Sequence, residues 1–356
     1  MPEPAFVVAQ RAELIYVNDG EPGIRRRRAG RGFFYVAAGG ARLSDADVLS
    51  RIRTLAIPPA WTDVWICPDP TGHIQATGRD QRGRKQYRYH PAWTACRDEA
   101  KFSSLAAFAH ALPGLRDKVE EDLALRGLPR EKVIASIIWL LDKTMIRIGN
   151  DAYRRENKSF GLTTLRDRHV EVNGSSLRFA FRGKSGQEWR LKLQDRRIAK
   201  IVRAVQDIPG QHLFQYLDDD GERREVRSHH VNAYIRDAIG EEFSAKHFRT
   251  WGASVLAIRE FGAIPLPETK RAQAVALNQV IDEVAATMRN TRAVCRRCYV
   301  HPLIIDSWLE GTLGDELRDI TRRTRKPLKG LDEDESLMLR WLDMRTAEAP
   351  RELAEA

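Results

Sequence analysis

Apolar residues along this chain change their period once. In roughly the first ninety-five positions they come in short runs between turn residues, and beyond that they mostly recur every three or four, apart from a strand-like stretch between Arg168 and Leu193. Phe33-Phe34-Tyr35-Val36 reads as a short strand, followed by Ala37-Ala38-Gly39-Gly40. Ser44 is placed to cap a helix through Leu55, which Ile57-Pro58-Pro59-Ala60-Trp61 ends. Val64 to Cys67 and His73 to Thr77 bracket Pro68-Asp69-Pro70-Thr71-Gly72, the chemistry of a hairpin.

From about Ala95 helices take over. Ile134, Ile138, Leu141, Met145 and Ile148 predict an amphipathic helix ending at Gly149-Asn150, with Arg147 in its last turn and off the apolar stripe. Three strand-like segments follow, Arg168 to Val172, Leu177 to Phe181 and Glu188 to Leu193. Asn173-Gly174-Ser175-Ser176 and Arg182-Gly183-Lys184-Ser185-Gly186-Gln187 join them, which predicts a small antiparallel sheet with Lys184 at a hairpin tip. Helices resume over Gln194 to Val205 and His229 to Ile239. Ser244 then caps a helix carrying Phe248, Trp251, Val255 and Ile258, with Arg249 off that stripe. Leu277, Ile281, Val284 and Met288 predict a helix ending near Asn290. Thr291 caps a second, short one that carries Tyr299 near its far end, before Pro302. The region from Gly330 to Arg345 reads as a last helix with acidic residues in its first turn. The pattern as a whole is α+β.

Composition sharpens this. With 356 residues and 42% hydrophobic content the chain can bury two cores, or one large one. A formal charge of +10 calls for a polyanionic partner, most often nucleic acid, although a ribosome or membrane surface also fits charge alone. The end from Leu331 onward is acidic (Asp332, Glu333, Asp334, Glu335, Glu348, Glu352, Glu355), so the remainder is more basic than the total. No apolar run is long enough to span a membrane and no signal pattern opens the chain, so a cytoplasmic protein is expected. Four cysteines make no disulfide framework. Cys295 and Cys298 form a CxxC, but Cys67 and Cys96 supply no matching second pair for zinc and no βαβ context suggests redox work. Both read as small buried residues on the helix of Tyr299.

Two stretches carry candidate chemistry. Gly78 to Pro91 interleaves Arg79, Arg82, Arg84, Lys85 and Arg88 with Tyr87 and Tyr89 around Gln86. Basic groups meet phosphates, aromatic rings and amides meet bases or sugars, and a glutamine can read an adenine edge, so this stretch favours nucleic acid over a solvated loop. Arg25-Arg26-Arg27-Arg28 is a second basic cluster, weaker as evidence because it is charge alone. Tyr299, with Arg292, Arg296 and Arg297 nearby in sequence, is either a phenol able to attack a phosphate or a core tyrosine beside solvated arginines. Taken singly, Arg147 and Lys184 read as surface cations.

Taken together, these residues resemble the small type IB DNA topoisomerases of viruses and bacteria. The resemblance runs over nearly the whole chain. It includes Pro58-Pro59-Ala60-Trp61, Gly78 to Pro91, Ile146-Arg147-Ile148-Gly149-Asn150, Ser159 to Arg166, Gly183-Lys184, Lys246 to Trp251, and Ala293 to Tyr299. It implies that Tyr299 is the nucleophile, that Arg147 and Arg249 are catalytic arginines and Lys184 the catalytic lysine, and that Gln86, Tyr87 and Tyr89 contact DNA alongside Arg84 and Lys85. Asn290 stands where many members carry histidine, nine positions before the tyrosine. The familiar Thr-Pro-Ala after that position is here Thr291-Arg292-Ala293. The resemblance further implies a β-rich DNA-binding domain over residues 1–95 and a mainly helical catalytic domain over 96–356. They would close around duplex DNA as a monomeric clamp, working in the nucleoid without metal or ATP. The tyrosine recombinases share the catalytic set and are the alternative. They usually carry histidine three residues before the second arginine, and here that position is Lys246.

Overall fold

In a computed structural model, which describes residues 9–10, 12–30, 32–324 and 326–355, the chain divides into two compact units, Met1–Ser103 and Ser104–Ala356. The division falls inside a long helix, α2 (Pro91–Leu123), and Ala95 lies in that helix's first turns.

The first unit is built on a five-stranded antiparallel sheet, β1 (Ile24–Ala29), β2 (Gly32–Val36), β3 (Thr62–Ile66), β4 (Ile74–Arg79) and β5 (Lys85–Tyr89), in the order β2-β1-β3-β4-β5. The arginine run is strand β1, so alternation sends its side chains to opposite faces. Ile24 joins Ile52, Val64, Ile66 and Ala76 in a core under helix α1 (Ala46–Thr54). On that same face Arg26 donates to the carbonyls of Pro58 (3.1 Å) and Trp61 (2.6 Å), filling the Pro-Pro turn that stops α1. Asp45, rather than Ser44, caps α1: its carboxylate accepts from the amides of Asp47 and Val48 at 2.9 and 3.0 Å. Asp is as good a cap as Ser, and neighbouring candidates compete for one position.

In the second unit, helix α3 (Arg130–Thr144) is buried along almost all of its length from Val133 to Leu141. It stops five residues short of the expected end. Met145 adopts φ 53°, its N–H closing on the Leu141 carbonyl, so the apolar spacing through Ile148 continues in extended chain. Arg147 is therefore in a loop, not in a helical turn. After α4 (Asp151–Asn157), β6 (Val170–Asn173), β7 (Ser176–Arg182) and β8 (Glu188–Gln194) form the expected three-stranded sheet, with a single 3₁₀ turn over 167–169 where its first strand was expected to begin. β7 alternates buried Leu177, Phe179 and Phe181 with exposed residues, so one face of the sheet packs on the main core. α5 (Arg196–Gln206), the short pair β9 (Gln215–Leu217) and β10 (Arg223–Glu225), and α6 (Ser228–Ile239) follow.

Helix α7 (Ala245–Ala263) is central. Phe248, Trp251, Val255 and Ile258 are buried as their spacing requires, but so are Arg249, Thr250 and Ser254. A helix buried nearly all round has no solvent face to receive its polar residues. Around it lie α8 (Lys270–Thr287), α9 (Arg292–Cys298), α10 (Pro302–Glu310), α11 (Leu313–Arg323) and α12 (Glu333–Glu355). The acidic start of α12 is held by Arg116 of α2, whose guanidinium contacts Glu335 at 2.7 Å and Asp142 at 2.9 Å. Trp251 Nε1 donates to the same Glu335. Among the described residues no helix is long and apolar enough to cross a membrane.

Candidate active site

The chain reverses sharply between α8 and α9. Met288 caps α8, Arg289 takes φ 48°, and the Asn290 amide returns to the Ala285 carbonyl at 2.9 Å. Thr291 then caps α9, accepting from the Val294 amide. A threonine cap is worth about 1 kcal/mol, useful to a helix of only seven residues. Tyr299 closes α9, its N–H on the Cys295 carbonyl at 3.0 Å. The backbone there is pinned from α7. The buried Ser254 hydroxyl donates to the Tyr299 carbonyl at 3.1 Å and accepts from the His301 amide at 3.0 Å.

Arg249, five residues before Ser254 on α7, is 3% exposed. Its Nη1 donates to the Met145 carbonyl and its Nη2 to that of Met288 at 3.2 Å, so one guanidinium ties the loop after α3 to the end of α8. Its Nε is buried without a hydrogen-bond partner. The guanidinium lies 5.0 Å from the centre of the Tyr299 ring. Burial lowers the Arg249 pKa and the nearby charge of Arg147 lowers it further, yet an arginine starts so high that it stays protonated.

Arg147 reaches the same place on its loop. That loop is held by Leu162 N–H on the Arg147 carbonyl (2.9 Å) and by the amide and hydroxyl of Thr163 on the Ile148 carbonyl (2.7 and 2.9 Å). The approach is possible because residue 161 is glycine, since a Cβ there would fall 2.5 Å from the Arg147 carbonyl oxygen and the Gly149 nitrogen. Burial alone would raise the Tyr299 pKa. The charges and hydrogen bonds of Arg249 and Arg147 outweigh it and hold the phenol below its ordinary value of 10.0. Burial pushes the neighbouring Cys295 thiol up to about 11, so it stays protonated near neutrality. Cys298 is half-buried, and among the described residues no group of three or more His, Cys, Asp or Glu is gathered that could hold a metal.

Asn290 adds a donor. Its Oδ1 accepts from the Thr291 amide at 3.1 Å, while its Nδ2 is buried and has no partner. Lys184 is exposed on the β7–β8 turn, where Ser185 takes φ 61°. The base of that hairpin is joined to the Arg147 loop through Phe160, whose N–H donates to the Arg182 carbonyl at 2.8 Å, one residue before Gly161. The structure thus gathers Tyr299, Arg147 and Arg249 and leaves Lys184 on an exposed arm. Ser254 and Gly161, which fix the geometry, escaped the sequence reading. A serine inside an apolar helix was the only sign of the first.

In the N-terminal sheet, edge strand β5 presents Tyr87 and Tyr89 stacked at 5.6 Å and 7°, each about 40% exposed. Two cations of this hairpin carry carboxylates. Asp80 accepts from Arg84 Nε at 2.7 Å and from Gln86 Nε2 at 3.0 Å, and Lys85 pairs with Asp19 at 2.7 Å.

Residues 90–307 match the family described as eukaryotic DNA topoisomerase I, catalytic core, and residues 32–80 match the bacterial DNA topoisomerase IB N-terminal domain. The chain belongs to the type IB DNA topoisomerases. It is 31% identical over 285 residues to DNA topoisomerase 1B of Acanthamoeba polyphaga mimivirus, covering 78% of this chain and 85% of the relative. It is 22% identical over 274 residues to DNA topoisomerase 1B of vaccinia virus, covering 73% and 81%. A match to DNA topoisomerase 1 of Mycosarcoma maydis, 24% identical, covers 44% of this chain and 17% of that one. The topoisomerase core match takes in Arg147, Lys184, Arg249, Asn290 and Tyr299, and the N-terminal match ends at Asp80, just before the β5 residues. This type IB enzyme combines a β-rich N-terminal unit with a mainly helical core that carries a small sheet.

Proposed function

We propose that the chain relaxes supercoiled duplex DNA by transient cleavage of one strand, with Tyr299 as the nucleophile. The observation that carries this reading is a phenol whose pKa is held down by two guanidiniums, Arg249 and Arg147, despite its burial. The phenol gives up its proton to solvent water and its oxygen attacks a backbone phosphorus. The bond to the 5′-oxygen breaks, leaving a 3′-phosphotyrosyl link and a 5′-hydroxyl. Two permanently charged, forked donors suit the extra negative charge on the non-bridging oxygens. The unpartnered Nδ2 of Asn290 supplies a neutral donor to the same oxygens. The departing 5′-oxygen takes a proton from Lys184, which an exposed hairpin can carry to it. Strand rotation follows, and reversal of the same steps reseals the break. The phosphotyrosyl link conserves the bond energy, so religation needs no ATP.

Residues 1–95 act as the DNA-binding domain, with Arg84, Lys85, Gln86, Tyr87 and Tyr89 against the duplex, and residues 96–356 as the catalytic domain. The working form is a monomer that holds the duplex as a clamp in the cytoplasm, on the nucleoid. Supercoiled plasmid incubated with EDTA and without ATP tests the function. Relaxation by the native chain is expected, with a covalent protein–DNA adduct in denaturing gels. Tyr299→Phe should bind but yield neither. Exchange between marked sites would instead indicate a recombinase, and retarded but still supercoiled DNA a binder without activity. An adduct retained by Tyr299→Phe would move the nucleophile elsewhere.

A further inference from the structure

Charge is compensated unevenly across the N-terminal sheet. At one edge, Arg84 and Lys85 carry Asp80 and Asp19. On β1, Arg25 and Arg27 are exposed, and among the described residues neither has an acidic partner. Arg42 adds a third cation beside them, its guanidinium 5.3 Å over the ring of Phe34, the cross-strand partner of Arg27.

β1 and the edge strand β5 share a face. Register pairs Arg25 with Trp65, Trp65 with Thr77, and Thr77 with Tyr87. Directly paired residues project to the same side of a sheet, so Arg25 and Tyr87 stand in one cross-strand row, three strands apart or about 14 Å. The middle of the row is roofed by the chain before β1. Trp65 donates to the Glu21 carbonyl at 3.0 Å, and Thr77 to the Asp19 carboxylate at 2.8 Å. That roof carries the acidic side chains of Asp19 and Glu21, which repel phosphate. A polyanion lying on this face is driven to the flanks, where one side offers stacked tyrosines and the other uncompensated arginines. The separation is close to the width of a DNA major groove, about 12 Å.

We propose that Arg25 and Arg27, supported by Arg42, form a second phosphate-binding strip. It holds the backbone of the same duplex that meets Tyr87 and Tyr89 across the sheet. The proposal rests on the DNA-binding reading above and adds residues to it. Such contacts position the duplex without reading its sequence, and each phosphate neutralised releases counterions.

The test is equilibrium binding of the full chain carrying Tyr299→Phe, which prevents covalent capture, to one short fluorescent duplex across a range of KCl. Adding Arg25→Ala and Arg27→Ala should reduce the slope of log K against log salt by about 2, equally for unrelated duplex sequences. The melting temperature should stay unchanged. If the alanine pair lowers it, Arg25→Gln with Arg27→Gln keeps long side chains on the strand and reads the same slope. An unchanged slope overturns the proposal. So does an unchanged slope with loss only of capture of a second duplex, which would assign the strip to a crossing segment. Plasmid relaxation by the chain with Tyr299 intact reports separately on the catalytic reading, so the two can fail independently.

Discussion

The catalytic cluster and the β4–β5 hairpin both carry cations, and they treat those cations in opposite ways. On the hairpin, Asp80 and Asp19 neutralise Arg84 and Lys85 at 2.7 Å. In the cluster, Arg249 is buried beside Arg147 with no carboxylate partner among the described residues, and burial first, then the Arg147 charge, lower its pKa. Like charges desolvated together are costly, and the phenol of Tyr299 relieves only part of that cost. In the mechanism proposed above, a phosphate arriving between them would supply the missing anion, most fully when its charge grows in the transition state. On that reading the hairpin is organised before DNA arrives, and the cluster stays electrostatically incomplete until it does.

Lys184 belongs to neither pattern, and the comparison is most exposed there. Lys184→Ala should slow cleavage of an ordinary phosphodiester by about 10²- to 10⁴-fold. A duplex with a 5′-bridging phosphorothiolate, whose leaving group needs no proton, should recover much of that rate. Equal impairment on both substrates would remove Lys184 as the acid.

Next in size are the arginines. Arg147→Ala should lower single-turnover cleavage by about 10²- to 10³-fold, the scale for losing one oxyanion donor. It should also move the rising limb of the pH profile toward higher pH, because Arg147 is one of the groups holding the Tyr299 phenol down. A rate loss with no movement of that limb would mean that Arg147 acts on the phosphate alone. Asn290→Ala should cost roughly 10- to 1000-fold. Asn290→His should remain active with a pH profile close to the native one, since charged and neutral imidazole both donate. Native rates in Asn290→Ala would take that residue out of the site.

The smallest effect belongs to the hairpin. Asp19→Asn removes the partner of Lys85 and should make DNA binding tighter, with a salt slope steeper by about 1. Weaker binding would show that Asp19 positions the lysine rather than masking it.

How much of this was legible in the sequence follows from where the signals were local. Thr291 as a cap, Tyr299 at the end of its short helix and the β7–β8 hairpin were readable because capping and turn chemistry act within a few residues. The end of α3 was not, because Ile146 and Ile148 keep a helical spacing after Met145 has already turned the backbone to positive φ. The burial of Arg249 was not legible, because the spacing placed it only off the apolar stripe, and a single-stripe pattern assumes a wet side that α7 almost lacks. In β1 the charges hid the alternation, since Arg26 is half-buried on the face of Ile24 and hydrogen-bonded there, while Arg25 and Arg27 are exposed.

A swivelling strand exerts torque on whatever still holds the broken end. In the mechanism proposed here that is one side chain at the tip of a seven-residue helix, a weak mechanical mount by itself. The Ser254 hydroxyl changes the load path. By gripping the backbone at the Tyr299 carbonyl and the His301 amide, it passes the strain into the nineteen residues of α7, the same rod that carries Arg249. Nucleophile and guanidinium are thereby geared together, so a twist that displaces one carries the other along, and the severed end can return to an aligned site after each turn.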